Sequence, residues 1–148
     1  MRIVEVGKAT VALAIFGCMG IGSALADPTG IWLDKDGDTL RIQHCGPALC
    51  GTIVNLRVRL DPQTGQPRTD KKNVDMSRRK RTLVGVQSLI SMRPSGPGKW
   101  SGQLYNVDDG RTYAGNLIEL SSGKIRIEGC VLGLCGGESL SRIAAASL

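Results

Sequence analysis

The sequence is poor in aromatic residues and in histidine. Its 148 residues include one phenylalanine, two tryptophans, two tyrosines and one histidine. Proteins that bind single-stranded nucleic acid stack bases on aromatic side chains, and acyl-transfer enzymes usually pair a nucleophile with a base such as histidine. Because aromatic residues are few, we do not expect a nucleic-acid-binding protein. Because His44 is the one histidine and no serine lies in a recognisable nucleophile setting, we do not expect an enzyme.

The acidic residues supply no catalytic pair and no metal site. Asp108 and Asp109 are neighbours in one predicted turn, too close in sequence to face each other across a sugar. Three aspartates alternate over residues 34–38, but an EF-hand loop needs glycine at its sixth position and glutamate at its twelfth. Here glycine is fourth and Cys45 is twelfth. We therefore predict a turn at 34–38, with no metal and no cofactor.

Only one long apolar run is present, and it lies near the N-terminus. Arg2 and Lys8 precede apolar residues 9–22, and an Ala-x-Ala sequence ends at Ala26. A short basic segment, an apolar core too short to span a bilayer and an Ala-x-Ala end are typical of a secretory signal peptide. We predict that residues 1–26 are cleaved off and that residues 27–148 form a single periplasmic or secreted domain.

Four cysteines remain in that domain, in two pairs of equal spacing. Cys45 and Cys50 form one Cys-x4-Cys pair, and Cys130 and Cys135 form the other. An even number of cysteines in an exported chain predicts disulfides, and the repeated short spacing favours closure within each pair. A zinc site would usually show the closer Cys-x2-Cys spacing.

The rest of the domain has the pattern of short strands separated by turn residues. The clearest hairpin surrounds Asp108-Asp109-Gly110, where glycine tolerates the positive φ that a tight turn needs, and Tyr105 and Tyr113 flank it. We predict about eight strands, centred near residues 31, 40, 53, 87, 102, 116, 127 and 140. Short connections favour an antiparallel up-and-down barrel, although a two-sheet sandwich fits the same periodicity.

Three further predictions concern the faces and ends of strands. His44 follows Ile42 by two residues, so it is predicted to share the buried face and to be hydrogen-bonded there. Thr52, Val54, Leu56 and Val58 are predicted to form the apolar face of the third strand, with polar residues on the opposite face. Residues 93–98 contain two prolines and are predicted to form a turn where no strand continues.

One connection is long and strongly basic. Residues 57–81, which we call the basic arm, contain nine basic and three acidic residues, so a net charge of +6 lies here. Long connections inside small domains are often functional or mobile. The arm is therefore either a solvated segment or a surface for an anionic partner, and it has no aromatic residue with which to stack a nucleic-acid base.

Motifs spread over the predicted domain form a recognisable set. They are Gly30-x-Trp32, Cys45-Gly46-x-x-Leu49-Cys50-Gly51-x-Ile53-Val54, Asp70 with Asn73, Arg81-x-Leu83-x-Gly85, and Trp100-x-Gly102-x-x-Tyr105-Asn106-x-x-x-Gly110-x-x-Tyr113. Together they resemble a family of secreted bacterial proteins catalogued as domain of unknown function 2147. The resemblance implies a lipocalin-like barrel in the cell envelope with no established reaction. Trp32 and Arg142 also resemble the lipocalin pair in which an arginine lies across a tryptophan and closes the barrel.

Strand direction suggests where a site would lie. If strands three and five run the same way, the basic arm and the hairpin turn share one rim of the barrel. Residues from both would then form an entrance suited to an anionic or carboxylated apolar molecule. The predicted ligand-binding residues are Asp70, Asn73, Arg81, Tyr105, Asn106 and Tyr113.

Two functions are compatible with these features. The first is a non-catalytic binding module for a small apolar or anionic ligand in the cell envelope. The second is an envelope interaction protein whose basic arm docks anionic lipid, polymer or a protein partner while the barrel is only a scaffold. An eight-stranded barrel can hold one small ligand or be filled by its own side chains, so the strand count does not separate the two.

Overall fold

A computed structural model describes residues 27–145, which form eight antiparallel strands closed into a barrel. The strands are β1 (Gly30–Leu33), β2 (Thr39–Cys45), β3 (Ala48–Asn55), β4 (Gln87–Gly96), β5 (Lys99–Asn106), β6 (Arg111–Ser121), β7 (Lys124–Val131) and β8 (Leu134–Ile143). Each strand pairs with its sequence neighbours, and β8 pairs with β1. The predicted up-and-down barrel is confirmed, and the sandwich alternative is excluded. The predicted signal peptide lies outside the described residues.

The interior of the barrel contains one apolar core. Side chains alternate across each strand, so every second residue points inward. The fully or nearly buried members are Trp32, Leu40, Ile42, Leu49, Leu89, Met92, Trp100, Leu117, Ile125, Ile127 and Leu140. Burying each large apolar side chain contributes roughly 1.5–3 kcal/mol, so this cluster is the main source of stability. Within residues 27–145 no helix is long and apolar enough to cross a membrane.

The connections between strands define two ends of the barrel. The open rim carries the β1–β2 turn (34–38), the long β3–β4 connection (56–86), the β5–β6 turn (107–110) and the β7–β8 turn (132–133). The closed end carries the remaining turns and the segment before β1. A short 3-10 helix, Met76–Arg78, is part of the long connection.

Both predicted disulfides are confirmed, and they lie at opposite ends of the barrel. Cys45 and Cys50 are bonded across the β2–β3 turn at the closed end, with their Cα atoms 5.9 Å apart. Cys130 and Cys135 are bonded across the β7–β8 turn at the open rim, with their Cα atoms 4.1 Å apart. Each bond therefore clamps one hairpin.

Arg142 covers Trp32 at the closed end. Its guanidinium carbon lies 4.3 Å from the centroid of the indole, which is fully buried. The same group donates hydrogen bonds to the carbonyls of Thr29 at 2.6 Å, Ser122 at 3.0 Å and Asp27 at 3.2 Å. A cation–π contact of this kind contributes about 0.5–2 kcal/mol. Arg142 thus joins the segment before β1 to the β6–β7 turn.

Two predictions about buried faces are wrong. In β3 it is Ile53, paired with the buried Leu40, that packs on the core, so Thr52 and Val54 lie on the other face. The strand ends at Asn55, and beyond it Leu56 is buried but Val58 is 53% exposed within the basic arm. The side chain of His44 is 65% exposed, and its Nε2 lies 3.2 Å from Asp27 Oδ2. Alternation along a strand buries a residue only where the barrel interior covers it, and His44 lies beyond that interior at the closed end.

The predicted turn at residues 93–98 is also wrong, because β4 continues to Gly96. Pro94 pairs with Trp100 of β5. On the other side, the pairing of β4 with β3 ends at Met92. Pro94 therefore has a neighbouring strand on one side only, and an edge position of this kind tolerates the missing N–H of proline.

Candidate functional site

A cavity of about 750 Å³ opens at the open rim of the barrel. Its inner wall is apolar and includes Leu40, Ile53, Leu56, Leu83, Leu104, Ile127 and Leu140. Its mouth is charged and includes Asp34, Lys35, Asp36, Asp38, Arg57, Arg68, Asp108, Asp109 and Glu138. Neither tryptophan lines it. The volume lies within the range of about 300–1,000 Å³ that is typical of small-molecule sites.

A buried polar network fastens the basic arm to the barrel. At its centre is Asp70, whose side chain is fully buried. Tyr105 Oη donates to Asp70 Oδ1 at 2.6 Å, and Asn73 Nδ2 donates to Asp70 Oδ2 at 2.8 Å. Arg81 approaches Asp70 Oδ2 with Nη2 at 2.7 Å and with Nε at 2.9 Å. Both carboxylate oxygens of Asp70 are therefore paired.

The network also fixes the protonation of its members. Burial alone would raise the pKa of Asp70, but hydrogen bonds from Tyr105, Asn73 and Arg81 outweigh it and hold that pKa below its usual range. Burial and the neighbouring Asp70 carboxylate raise the pKa of Tyr105 to about 12. At neutral pH Asp70 is therefore ionised and Tyr105 carries its proton.

We expect the network to stabilise the fold most between about pH 4 and pH 10. The pKa of Asp70 is lower in the folded than in the unfolded chain, so its contribution is complete above about pH 4 and is lost as the pH falls through the folded value. The pKa of Tyr105 is raised, so its contribution is complete below about pH 10 and is lost as the pH rises through about 12.

Thermal melting across the pH range checks this expectation. Asp70→Asn removes the titrating carboxyl, so its melting temperature should fall less steeply in acid than that of the wild type. An equally steep acid limb in both proteins would contradict the assignment to Asp70.

The basic arm also rests on the β5–β6 turn. Lys72 Nζ donates to the carbonyl of Asp108 at 2.7 Å, and the Val74 amide donates to the carbonyl of Gly110 at 3.3 Å. Gly110 has a φ of +73°, and a Cβ at this position would overlap the carbonyl oxygen of Lys72. Glycine is thus required here both by the turn and by the close approach of the arm.

A family model for uncharacterised proteins conserved in bacteria, DUF2147, matches residues 30–142. The chain belongs to the DUF2147 family. The match extends from β1 to Arg142 and therefore includes the whole network and the wall of the cavity.

The fold of this DUF2147 chain is also found in a solved structure. Protein HP1028 from Helicobacter pylori, described as belonging to the lipocalin family, superposes with a TM-score of 0.68 at 18% sequence identity. The alignment covers 82% of this chain and 86% of that chain. At this identity the likeness establishes a lipocalin-like barrel and nothing finer. No curated protein matches the sequence.

The six residues predicted to bind a ligand divide into two overlapping groups in the DUF2147 structure. Four form the buried network: Asp70, Asn73, Arg81 and Tyr105. Three line the cavity: Tyr105, Asn106 and Tyr113. Asn106 Oδ1 accepts the Asp108 amide at 3.0 Å, and the Tyr113 hydroxyl donates to Asp109. The structure therefore brings the arm and the hairpin together, but Asp70, Asn73 and Arg81 do not line the cavity.

Glu138 is a cavity residue that was not predicted from the sequence. It pairs with Ile127, and it lies on the same face of β8 as Leu140, so its side chain points into the barrel. Its Oε2 is buried without a hydrogen-bond partner among the described residues, 3.6 Å from Lys35 Nζ. Burial first, and then the charge of Asp34, raise the pKa of Glu138. Its alternation with Leu140 was the signal available in the sequence.

Three carboxylates at the mouth could approach a common cation. One oxygen each of Asp34, Asp36 and Glu138 lies within 4.8 Å of the others. Lys35 already supplies positive charge at this point, with Nζ 2.6 Å from Asp36 Oδ2. The chain's own ammonium group therefore offsets one of the three carboxylate charges.

Proposed function

We propose that this DUF2147 protein is a non-catalytic binding protein of the cell envelope that holds a small, mainly apolar molecule with an anionic group. The cavity of about 750 Å³, apolar inside and charged at its mouth, is the observation that carries this proposal. Small-molecule sites are typically concave and mostly apolar, with a few polar groups that orient the ligand.

The disulfides support a location outside the cytoplasm. Bonds such as Cys45–Cys50 and Cys130–Cys135 form and persist in oxidising compartments and are rare in the cytosol. The predicted signal peptide is consistent with export to such a compartment. A binding protein there would meet molecules of the envelope.

The charges at the mouth suggest how the ligand is oriented. Arg57 and Arg68 line the cavity on the side of the basic arm, and neither guanidinium takes part in an ion pair within residues 27–145. The Arg57 side chain packs against Gly37 of the acidic β1–β2 turn, and Glu138 lies near Asp34 beyond it, so an anion would be repelled from the Glu138 end of the mouth. The anionic group of the ligand would therefore lie beside the arginines, with its apolar body on the inner wall.

The buried network has a different role in this proposal. Asp70, Asn73 and Arg81 bond to one another and to Tyr105, so their polar atoms are already used. They would position the arm, which brings Arg68 to the cavity wall, and the adjoining Leu83. The residues that would touch the ligand are Tyr105, Asn106 and Tyr113, together with the apolar wall.

Filling the cavity should abolish binding of an apolar probe. Leu104 lines the cavity, and Leu104→Trp would place an indole in the space that we assign to the ligand. We expect this variant to bind the neutral dye N-phenyl-1-naphthylamine at least tenfold more weakly, measured by dye fluorescence. Leu120→Trp makes the same change at a 51% exposed position outside the cavity and should bind normally. Equal binding by both variants, or no binding by the wild type, would reject the cavity as the site.

The head group can be tested separately with three competitors that share one chain. Dodecanoate should displace the dye at lower concentration than dodecanol or dodecylamine. Arg57→Gln with Arg68→Gln should remove the advantage of dodecanoate, whereas Arg41→Gln with Arg93→Gln, at two exposed strand positions that do not line the cavity, should keep it. A preference for dodecylamine would overturn the assigned orientation without affecting the cavity itself.

A further inference from the structure

The large apolar side chains that are strongly exposed cluster at the open rim. The described part of the chain exposes Val58, Leu60, Val74, Met76, Val84, Leu120, Val131, Leu132 and Leu134. All but Leu120 lie on the long β3–β4 connection or on the β7–β8 hairpin. Exposed apolar residues that scatter singly need no explanation, but a concentration at one end of a barrel marks an interaction surface.

The tip of the β7–β8 hairpin is an apolar finger, residues 131–134. Leu132 is 99% exposed and Leu134 is 81% exposed. Leu132 has a φ of 50°, in a region that branched side chains rarely adopt. The bond between Cys130 and Cys135 clamps the base of the finger. The hairpin is therefore held in a shape that keeps two leucines away from the protein.

The basic arm faces the apolar finger across the mouth of the cavity. The arm joins β3 to β4 and the finger joins β7 to β8, so strand order places them on opposite sides of the barrel. Val58 and Arg68 of the arm line the same cavity as Val131 of the finger. One flat surface laid over the mouth would therefore touch both.

Positive charge on the arm exceeds what its own carboxylates neutralise. Each of its three aspartates is paired within the arm: Asp61 with Lys71, Asp70 with Arg81 and Asp75 with Arg78. Six cations remain outside these pairs: Arg57, Arg59, Arg68, Lys72, Arg79 and Lys80. The β1–β2 and β5–β6 turns of the same rim carry five aspartates and Lys35, a net charge of −4 against +6 on the arm, so the net positive charge of the rim comes from the arm alone.

We propose that the open rim docks on an anionic lipid bilayer, with the apolar finger among the lipid headgroups and the basic arm against the lipid phosphates. Exposed apolar residues together with Lys and Arg are typical of proteins that lie in the membrane interface. Each cation near an anionic surface adds affinity. A soluble polyanion would use the arm but would leave Leu132 and Leu134 in water. Docking would place the mouth against the bilayer, and it goes beyond the proposed function because it does not require a ligand in the cavity.

Insertion of the finger can be observed directly. Both native tryptophans are buried, Trp32 completely and Trp100 to all but 8%, so a tryptophan at Leu132 would be the one exposed reporter in the described chain. Vesicles of phosphatidylcholine mixed with phosphatidylglycerol should shift the emission of Leu132→Trp to the blue, and brominated lipid should quench it. Leu120→Trp, at the other end of the barrel, should show neither change.

The two parts of the surface can be separated by vesicle flotation. Replacing Arg78, Arg79 and Lys80 by glutamine should weaken binding to the mixed vesicles by about a hundredfold, since each cation near the surface contributes about a factor of five. The same change at three exposed basic residues outside the open rim, Arg41, Arg93 and Lys124, should have little effect. Leu132→Ser with Leu134→Ser should weaken binding roughly tenfold or more.

The outcomes distinguish the bilayer from other partners. Binding that is lost in high salt and absent with pure phosphatidylcholine supports the proposal. Equal binding by the wild type and the double serine variant would overturn it in favour of a purely electrostatic polyanion surface. Absence of vesicle binding by the wild type would also overturn it. The double serine variant should still bind N-phenyl-1-naphthylamine without vesicles, so failure of docking and failure of the cavity give different results.

Discussion

Replacing Asp70 by alanine should lower the free energy of unfolding by about 3 kcal/mol. The substitution leaves the Arg81 guanidinium, the Tyr105 hydroxyl and the Asn73 amide without their shared acceptor. Removing one partner of a buried ion pair costs about 3–5 kcal/mol, and we expect the lower end because the Arg81 side chain is 37% exposed and keeps part of its hydration.

Urea unfolding followed by tryptophan fluorescence measures this loss, and a surface aspartate provides the control. Asp36 forms an ion pair with Lys35 in which the two side chains are 68% and 67% exposed. Exposed pairs contribute about 0–1 kcal/mol, so Asp36→Ala should be nearly neutral. If Asp70→Ala were equally neutral, the network could not be what holds the arm. Amide hydrogen exchange should also rise within residues 57–81 more than in β1 to β8.

The barrel was predictable from the sequence because its evidence is local. Alternation and turn residues give the strands, and short connections between successive strands give their order. The disulfides follow from the same hairpins, because the residues at the two ends of a tight turn lie opposite each other. The errors at His44, Val58 and Pro94 have one origin: local pattern does not show where a strand leaves the covered interior or loses a neighbour.

The candidate site was predictable only in part. Strand direction and the family resemblance bring Asp70 close to Tyr105, but neither indicates whether their polar atoms face a ligand or each other. That depends on distances in the folded chain, where the four network residues satisfy one another. The inward position of Glu138 was implied by its alternation with Leu140. A charged residue is normally assigned to the exposed face of a strand, so the sequence pattern alone did not single it out.

The low aromatic content has a structural consequence that composition alone does not give. Both tryptophans belong to the packed core and neither lines the cavity. The wall near the open rim is built mainly from leucine, isoleucine and glycine, including Gly129 and Gly137, with Tyr105 and Tyr113 as its aromatic members. Because eight strands enclose enough volume for either side chains or a ligand, the placement of the few large residues decides which half of the barrel stays open.

Gly110 provides the second large effect, through the contact between the arm and the β5–β6 turn. Gly110→Ala should cost about 2–3 kcal/mol, because it combines backbone strain at positive φ with a steric overlap that pushes the Lys72 carbonyl away. Gly46→Ala is a closely matched control. Gly46 has a φ of +67° against +73° for Gly110, and nothing lies within 4 Å of a Cβ placed there. It should therefore show the strain alone, about 1 kcal/mol.

The difference in unfolding free energy between these two glycine variants measures how firmly the arm is docked. Combining Gly110→Ala with Asp70→Ala then tests whether both changes release the same element. Sites that act independently give additive losses, whereas two substitutions that each undock the arm cannot release it twice. We expect the double variant to lose clearly less than the sum of the single variants, while Gly46→Ala with Asp70→Ala should be additive. Additivity in both pairs would show that the turn and the network hold the chain separately, and would contradict a single docked arm forming the cavity wall.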